Sequence, residues 1–202
     1  DRTADSDETG EDVSDVEVSR GARTLGARAI DVLSRHVGER GLGKKGTPGY
    51  HRGAFINRVN LGVYGDGKRL LGAPWCGRAV RFAYETAAQE LGFPPPFAGV
   101  RDDLAGAADW KRAPFDAFQI AAPKVGAALV IKTKAGWHVA LVARTLGPRE
   151  VLTVEGNHGD AAAHVRRVVG PEDALVDVEA LAFRAPRAAV VGGLHAFGRG
   201  VA

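Results

Sequence analysis

The one cysteine of this 202-residue chain, Cys76, stands in the segment PWCGRAV, where the sequence pattern predicts the start of a helix. Proline fits the first helical turn, so Pro74 predicts that Cys76 lies in that turn. Unpaired backbone N–H groups and the positive end of the helix dipole there favour a thiolate and can hold an oxyanion. Cys76 is therefore a candidate nucleophile. The alternative is a small core residue on the apolar stripe that it shares with Val80, Ala83 and Ala87.

A thiolate nucleophile needs a base, and the base needs a group that orients it. The segment GWHVALVAR places His138 near the start of a predicted strand, beside a turn, where a partly exposed base can sit. In VLTVEGN, Glu155 and Asn157 fall on one strand face by period two, and the short connection TLGPR favours antiparallel pairing with the strand of His138. Either residue can orient His138, because a small change of register would exchange their roles. Taken singly, His138 equally fits a half-buried strand histidine, and Glu155 a strand-end charge.

Helices are predicted in the first half of the chain, where they would carry the cysteine. An apolar stripe at helical spacing predicts a helix over 21–37, and a second runs from about Pro74 to Leu91, where Gly92 and the segment FPPPF end it. The piece AFINRVNL can form a helical turn, and short helical pieces are expected over 99–119.

The second half of the chain changes to the period of two that is typical of strands. Short β-rich segments separated by turn residues predict strands at 127–132, 137–144, 150–156 and 164–169, with a fifth candidate at 177–184. Helices first and an antiparallel meander second predict an α+β fold, with N-terminal helices packed on an antiparallel sheet of five or six strands.

Charge divides the chain into a short acidic leader and a basic body. Residues 1–17 hold eight of the 24 acidic side chains and one of the 27 basic ones, which leaves 26 bases, 16 acids and a net charge of +10 on the rest. The leader has too little apolar surface to offset its ordering entropy, so we expect a disordered linker over 1–20. One domain over 21–185 and a C-terminal tail over 186–202 complete the predicted organisation. A basic body suits an anionic partner, although an arginine-rich soluble surface is an equally good explanation.

Other classes of site are disfavoured. GLGKKG fits a dinucleotide-binding pattern but follows a helix, and GVYGDGKR resembles a P-loop in which Arg69 replaces the Ser or Thr that would hold magnesium. His158 and His164 are six residues apart and no second cysteine exists, so we predict no metal site and no cofactor. The basic residues are scattered, with no stripe of interleaved aromatics, so we expect no nucleic-acid partner.

The longest apolar runs fall well below the roughly 20 residues that a membrane helix needs, so no transmembrane segment is predicted. The chain contains no methionine, even at position 1, so we expect a longer translated product. The lack of a signal peptide within this chain therefore does not argue against export.

The segments PWC, GWHVALV and VEGN, in this order and at separations of 62, 17 and two residues, resemble the CHAP family. These are cysteine- and histidine-dependent amidohydrolases and peptidases of the papain-like superfamily, related to NlpC-type cell-wall hydrolases. The resemblance covers roughly residues 25–185. It implies a papain-like fold with Cys76 as nucleophile, His138 as base, Glu155 as its orienting group and Asn157 as an auxiliary polar group.

The chain departs from the family pattern at two places. Gly77 follows the cysteine where the family usually has a small apolar residue, and Gly126-Ala127 stands where the family commonly reads Gly-Asp. Neither position belongs to the expected chemistry, but both indicate a divergent member.

The resemblance implies a secreted, periplasmic or wall-associated enzyme that hydrolyses amide bonds of peptidoglycan through a thioester. Two alternatives stay open: a cysteine amidase or peptidase on a small amide or a host peptide, for example as a secreted toxin, and a wall-binding module whose site is vestigial. Trp75 and Trp137 each adjoin a candidate catalytic residue and are predicted to line a substrate groove, although aromatics are as a rule core residues.

Overall fold

The computed structural model describes residues 24–61, 74–97, 100 and 106–184. Its helices are α1 (Leu25–Ser34), α2 (Ala54–Leu61), α3 (Cys76–Leu91) and α4 (Val178–Arg184), with two short 3-10 helices at Ala107–Lys111 and Phe115–Phe118. The predicted leader over 1–20 and the tail over 186–202 lie outside the described residues, as does the P-loop-like segment. The predicted helix over 21–37 corresponds to α1, which begins after Thr24, whose hydroxyl accepts a hydrogen bond from the Ala27 N–H (3.2 Å).

Six strands form one antiparallel sheet. They are β1 (Gln119–Ile120), β2 (Ala128–Thr133), β3 (Gly136–Thr145), β4 (Glu150–His158), β5 (Ala161–Val168) and β6 (Ala174–Val176), in the spatial order β1-β6-β2-β3-β4-β5. The predicted α+β arrangement of helices followed by an antiparallel sheet is confirmed. The strands β1 and β6, of two and three residues, are too short to show a period of two in the sequence.

The fifth predicted strand, over 177–184, is wrong, because this segment forms α4. Asp177 explains the difference: its carboxylate accepts a hydrogen bond from the Ala180 N–H (3.1 Å), as an N-cap residue does. Val178 and Leu181, three residues apart, are buried on one face of the resulting turn of helix. The spacing of three between these buried residues is helical, although apolar and polar residues alternate in part of the segment, as they do in a strand.

Apolar residues of the inner strands are buried on both faces of the sheet. On one face Val139, Leu141 and Val154 join the helices in the main core, and on the other Ala140 and Val142 belong to a smaller apolar cluster. The helix α1 packs against α3, and α3 contacts β3 and β4. The helix that carries Cys76 therefore lies on the two strands that carry His138 and Glu155.

The helix α1 and the sheet approach each other closely at Gly26 of α1 and Gly126, which lies two residues before β2. A Cβ on Gly126 would stand 2.7 Å from the Gly26 Cα, and the φ of Gly126 is +84°. The carbonyl of Gly126 also accepts a hydrogen bond from the buried Tyr84 hydroxyl of α3. One glycine thus brings both α1 and α3 to the sheet, which accounts for Gly126 at this position.

No helix in the described part of the chain is long and apolar enough to cross a membrane.

We predict that Gly126→Ala lowers the free energy of unfolding by roughly 3 kcal/mol, because the new methyl adds overpacking against α1 to the strain of a positive φ. Gly38→Ala is the matched control, since Gly38 has a φ of +93° but no atom within 4 Å of the added Cβ. This control should cost only about 1 kcal/mol of strain. Urea denaturation of both variants measures the difference, and equal losses would contradict a packing role for Gly126.

Candidate active site

Cys76 is the first residue of α3, and Trp75 is its N-cap. Pro74 therefore lies two residues before the first residue of the helix. The prediction that Pro74 belongs to the first helical turn is wrong. Trp75 provides no side-chain cap hydrogen bond, so the first N–H groups of α3 are not capped by its side chain. Cys76 is buried with Val80 and Ala83 on the predicted inward stripe.

The sulfur of Cys76 lies among three groups that favour its thiolate. Burial, the largest single effect, raises the pKa of the thiol. The hydrogen bond and positive charge of His138, together with hydrogen bonds from the backbone N–H groups of Val139 and Gly77, outweigh it, so the pKa falls below its ordinary value. The residue exposes only 4% of its surface. Little water screens these interactions, which strengthens them.

The end of a strand ladder explains why a backbone N–H of β3 is available to the sulfur. The pairing of β3 with β4 stops at Leu141 and Val154, although β3 reaches back to Gly136. Val139 lies beyond this last pair. The Val139 N–H, which has no partner in β4 at this position, donates a hydrogen bond to the Cys76 sulfur at the start of α3.

His138 joins the thiol to Glu155. Its Nε2 lies 2.8 Å from the Glu155 Oε2, which leaves Nδ1 as the ring nitrogen that can exchange a proton with Cys76. Burial lowers the pKa of the imidazole, but the hydrogen bonds and negative charges of Cys76 and Glu155 prevail and raise the pKa to about 9. The pKa values of Cys76 and His138 thus shift in the opposite directions that favour a thiolate–imidazolium pair.

Glu155 has no exposed surface, yet its carboxylate is fully supplied with donors. Oε1 accepts from the Thr153 hydroxyl (2.5 Å) and from Arg167 Nε (2.9 Å), and Oε2 accepts from Arg167 Nη2 (2.8 Å) as well as from His138. Burial raises the pKa of the carboxyl, but the bonds and charges of Arg167 and His138 lower it to about 2. Glu155 is therefore an ionised group of fixed orientation.

The alternative left open between Glu155 and Asn157 is decided by geometry. No hydrogen bond joins Asn157 to another side chain among the described residues, and its backbone has a left-handed φ of +66°. The β4–β5 register shifts between Glu155 and His158, which breaks the period of two that would have placed Asn157 beside Glu155. Of the two candidates, Glu155 is the one that is hydrogen-bonded to His138.

Gly156, between these two residues, lets α3 approach β4. An added Cβ would lie 2.4 Å from the Ala79 Cβ and 2.7 Å from the Trp75 ring. Any other residue at this position would push away the helix turn that holds Cys76.

Trp75 does not line an open groove, contrary to expectation, because its side chain has no exposed surface. Its ring packs edge-on against Phe55, and its indole N–H donates to Asp160 Oδ1 (3.2 Å). Asp160 also binds His51, through the His51 N–H (3.1 Å) and ring Nδ1 (2.7 Å). Trp75 therefore anchors the start of α3 to the loop before α2 and to the turn after β4.

Trp137, which precedes His138 in β3, is partly buried. The ammonium groups of Lys111 and Lys132 lie 4.1 and 4.6 Å from its ring centroid, within the range of cation–π interactions. Two cations therefore stand beside the residue that adjoins the candidate base.

Sequence reasoning missed Arg167 and Asp160. Arg167 and Val165 lie on the same face of β5, and they are paired with Val151 and Thr153 of β4. By alternation, Glu155 lies on this face of the sheet as well. A basic residue on that face, in a strand adjoining the acidic one, was the available signal. Asp160 has no such signal, because its partners are 85 and 109 residues away.

No family model, curated protein or solved structure matches this chain. Its function must therefore be inferred from the geometry of the site. Within the described ranges no group of three His, Cys, Asp or Glu side chains is arranged to hold a metal ion.

We predict that iodoacetamide alkylates Cys76 at pH 6 at least about tenfold faster in the wild type than in His138→Gln, because the variant loses the imidazolium that stabilises the thiolate. The difference should narrow towards pH 10, since the raised pKa of His138, about 9, means that the wild type also loses its imidazolium there. Intact-mass spectrometry gives the rates without background, because the chain has one cysteine.

The matched control is His164→Gln. The Nε2 of His164 lies 3.3 Å from the Ser34 hydroxyl, and His164 is not among the groups that shift the pKa of Cys76. This control should follow the wild-type profile. Equal rates for the wild type and His138→Gln at pH 6 would contradict the ion pair.

Proposed function

We propose that the chain is a cysteine amidase or peptidase that hydrolyses amide bonds of bacterial peptidoglycan. The observation that carries the proposal is the convergence of Cys76, His138 and Glu155 from three elements into one hydrogen-bonded series, in which the carboxylate binds one ring nitrogen and leaves the other for the thiol. This is the arrangement that activates a thiol as nucleophile.

In the first step the thiolate of Cys76 attacks the amide carbonyl carbon, a C–S bond forms, and the carbonyl electrons move onto oxygen. The backbone N–H groups at the start of α3 are the donors that we assign to that oxyanion, since the side chain of the N-cap residue Trp75 does not bind them. The His138 imidazolium then gives its proton to the amide nitrogen as the C–N bond breaks, which releases the amine and leaves a thioester.

In the second step neutral His138 takes a proton from water while the water oxygen attacks the thioester carbon. The C–S bond breaks, the carboxylic acid leaves, and the thiolate and imidazolium are restored. Glu155 keeps its negative charge throughout and holds the ring in one orientation.

Two features support a wall substrate. The motifs resemble those of CHAP-type wall hydrolases, and the body of the chain carries a net charge of +10 that would be attracted to anionic wall polymer. Export to the periplasm or the cell wall belongs to the same proposal.

We expect Cys76→Ala to lower the release of peptide fragments from purified peptidoglycan by roughly a thousandfold or more, because the nucleophile is lost. Mass spectrometry of the products identifies the amide bond that is cut. His164→Gln should retain activity and shows that the preparation is sound.

Wild-type release by Cys76→Ala would overturn the mechanism. Failure of the wild-type protein on peptidoglycan, with turnover of small amides or soluble peptides, would overturn the wall substrate and favour the second class of substrate.

The cations at Trp137 predict a preference for substrates with a carboxylate near the scissile amide. Lys111→Gln and Lys132→Gln should each raise KM for such a peptide by roughly two- to fivefold, the value of an exposed ion pair, with a smaller effect on kcat. The control is Lys44→Gln, an exposed lysine of the loop before α2. The same peptide amidated at its carboxylates should show no such rise in KM. An unchanged KM of both test variants for the carboxylate-bearing peptide would refute this preference.

A further inference from the structure

The carboxylate of Glu155 serves two cations at once. Arg167 reaches both of its oxygens, Nε to Oε1 at 2.9 Å and Nη2 to Oε2 at 2.8 Å, so the guanidinium and the carboxylate form a two-bond fork. His138 binds the same Oε2. The atom that orients the candidate base is therefore also an atom that the arginine holds.

We propose that Arg167 is a positioning residue that fixes the Glu155 carboxylate in the one rotation that presents Oε2 to His138, and so keeps the imidazolium next to Cys76. The proposal rests on the proposed function, because it needs Cys76 and His138 to be a working pair. Arg167 does not contact the thiol or the substrate, and acts only through Glu155.

The geometry favours a positioning role over simple charge neutralisation. A carboxylate can rotate about its last bond. Thr153 and His138 each bind one oxygen, whereas the planar fork of Arg167 binds both and restricts that rotation further. The Arg167 side chain is 25% exposed and Glu155 has no exposed side-chain surface, so the fork closes the solvent side of the buried group.

The charged and polar groups around Glu155, His138 and Arg167 come from four elements of the fold. Four groups face the Glu155 carboxylate: His138 of β3, Arg167 of β5, and Thr153 and His158 of β4. The Nδ1 of His158 lies 3.7 Å from Oε2. His138 faces Cys76 from α3 in addition to Glu155. Arg167 also lies within electrostatic range of Asp173. Among these groups, Arg167 alone binds both carboxylate oxygens.

The test measures the pH dependence of Cys76 alkylation by iodoacetamide in the full chain. We expect Arg167→Gln to move the acid limb of this profile up by about one pH unit and to lower the rate at pH 6 about tenfold, because the carboxylate keeps only single hydrogen bonds to Thr153 and His138 and holds the imidazolium beside the sulfur less firmly. Arg167→Lys keeps the charge but cannot form the planar fork, so its profile should lie between those of Arg167→Gln and the wild type.

The control is Arg166→Gln, which removes the neighbouring arginine, 65% exposed and paired with Glu150 at 2.6 Å. Its profile should coincide with that of the wild type. Thermal unfolding of each variant separates stability from positioning, and Arg167→Lys gives the answer if Arg167→Gln does not fold.

A wild-type profile for Arg167→Gln, with or without a lower Tm, would overturn the proposal, as would a shift of the acid limb to lower pH. A wild-type profile for Arg167→Lys would also overturn it, because charge alone would then suffice. The assay uses no substrate, so its outcome is separate from whether the protein cleaves peptidoglycan.

Discussion

The contact between the first turn of α3 and Gly156 of β4 sets the geometry of the whole site. The helix comes so close that an added Cβ on Gly156 would lie 2.4 Å from the Ala79 Cβ. This approach is possible because β3 and β4 stop pairing at Leu141 and Val154. The same gap that admits the helix turn gives Cys76 the Val139 N–H, so one packing constraint both positions the sulfur and stabilises its charge.

From that contact a series of alternating charges extends across the sheet. Arg167, Glu155, His138 and the Cys76 thiolate carry plus, minus, plus and minus in turn, and each is hydrogen-bonded to the next. Removal of charges from water is costly, and such a series is tolerated only where each charge has an opposite neighbour and a hydrogen-bond partner. The pKa of the carboxyl and that of the imidazole move apart for this reason, and the same pairing lowers the pKa of a thiol that burial alone would raise.

A second polar cluster, formed by Asp160, Trp75 and His51, supports the start of α3. Asp160 ties the Trp75 indole to the backbone and ring of His51, which joins the N-cap of α3 to the loop before α2. The left-handed φ angles of His51 and Asp160, +55° and +64°, show that both backbones are held in uncommon conformations by these contacts. Trp75 thus has a mechanical role in place of the substrate contact that its position next to Cys76 suggested.

The sequence by itself determined the chemistry available and most of the local geometry. The spacing of apolar residues predicts the α3 stripe and four of the six strands, and the alternation along β3 and β4 identifies His138 and Glu155 as candidate partners. Only the tertiary structure decided between Glu155 and Asn157, placed Trp75 in the core, turned 177–184 into a helix and brought Arg167 to the carboxylate. The physical reason is that periodicity specifies which way a side chain points along its own strand or helix. Where a ladder ends, how a register shifts and which distant residue satisfies a buried charge depend on contacts between elements, some of them more than 100 residues apart.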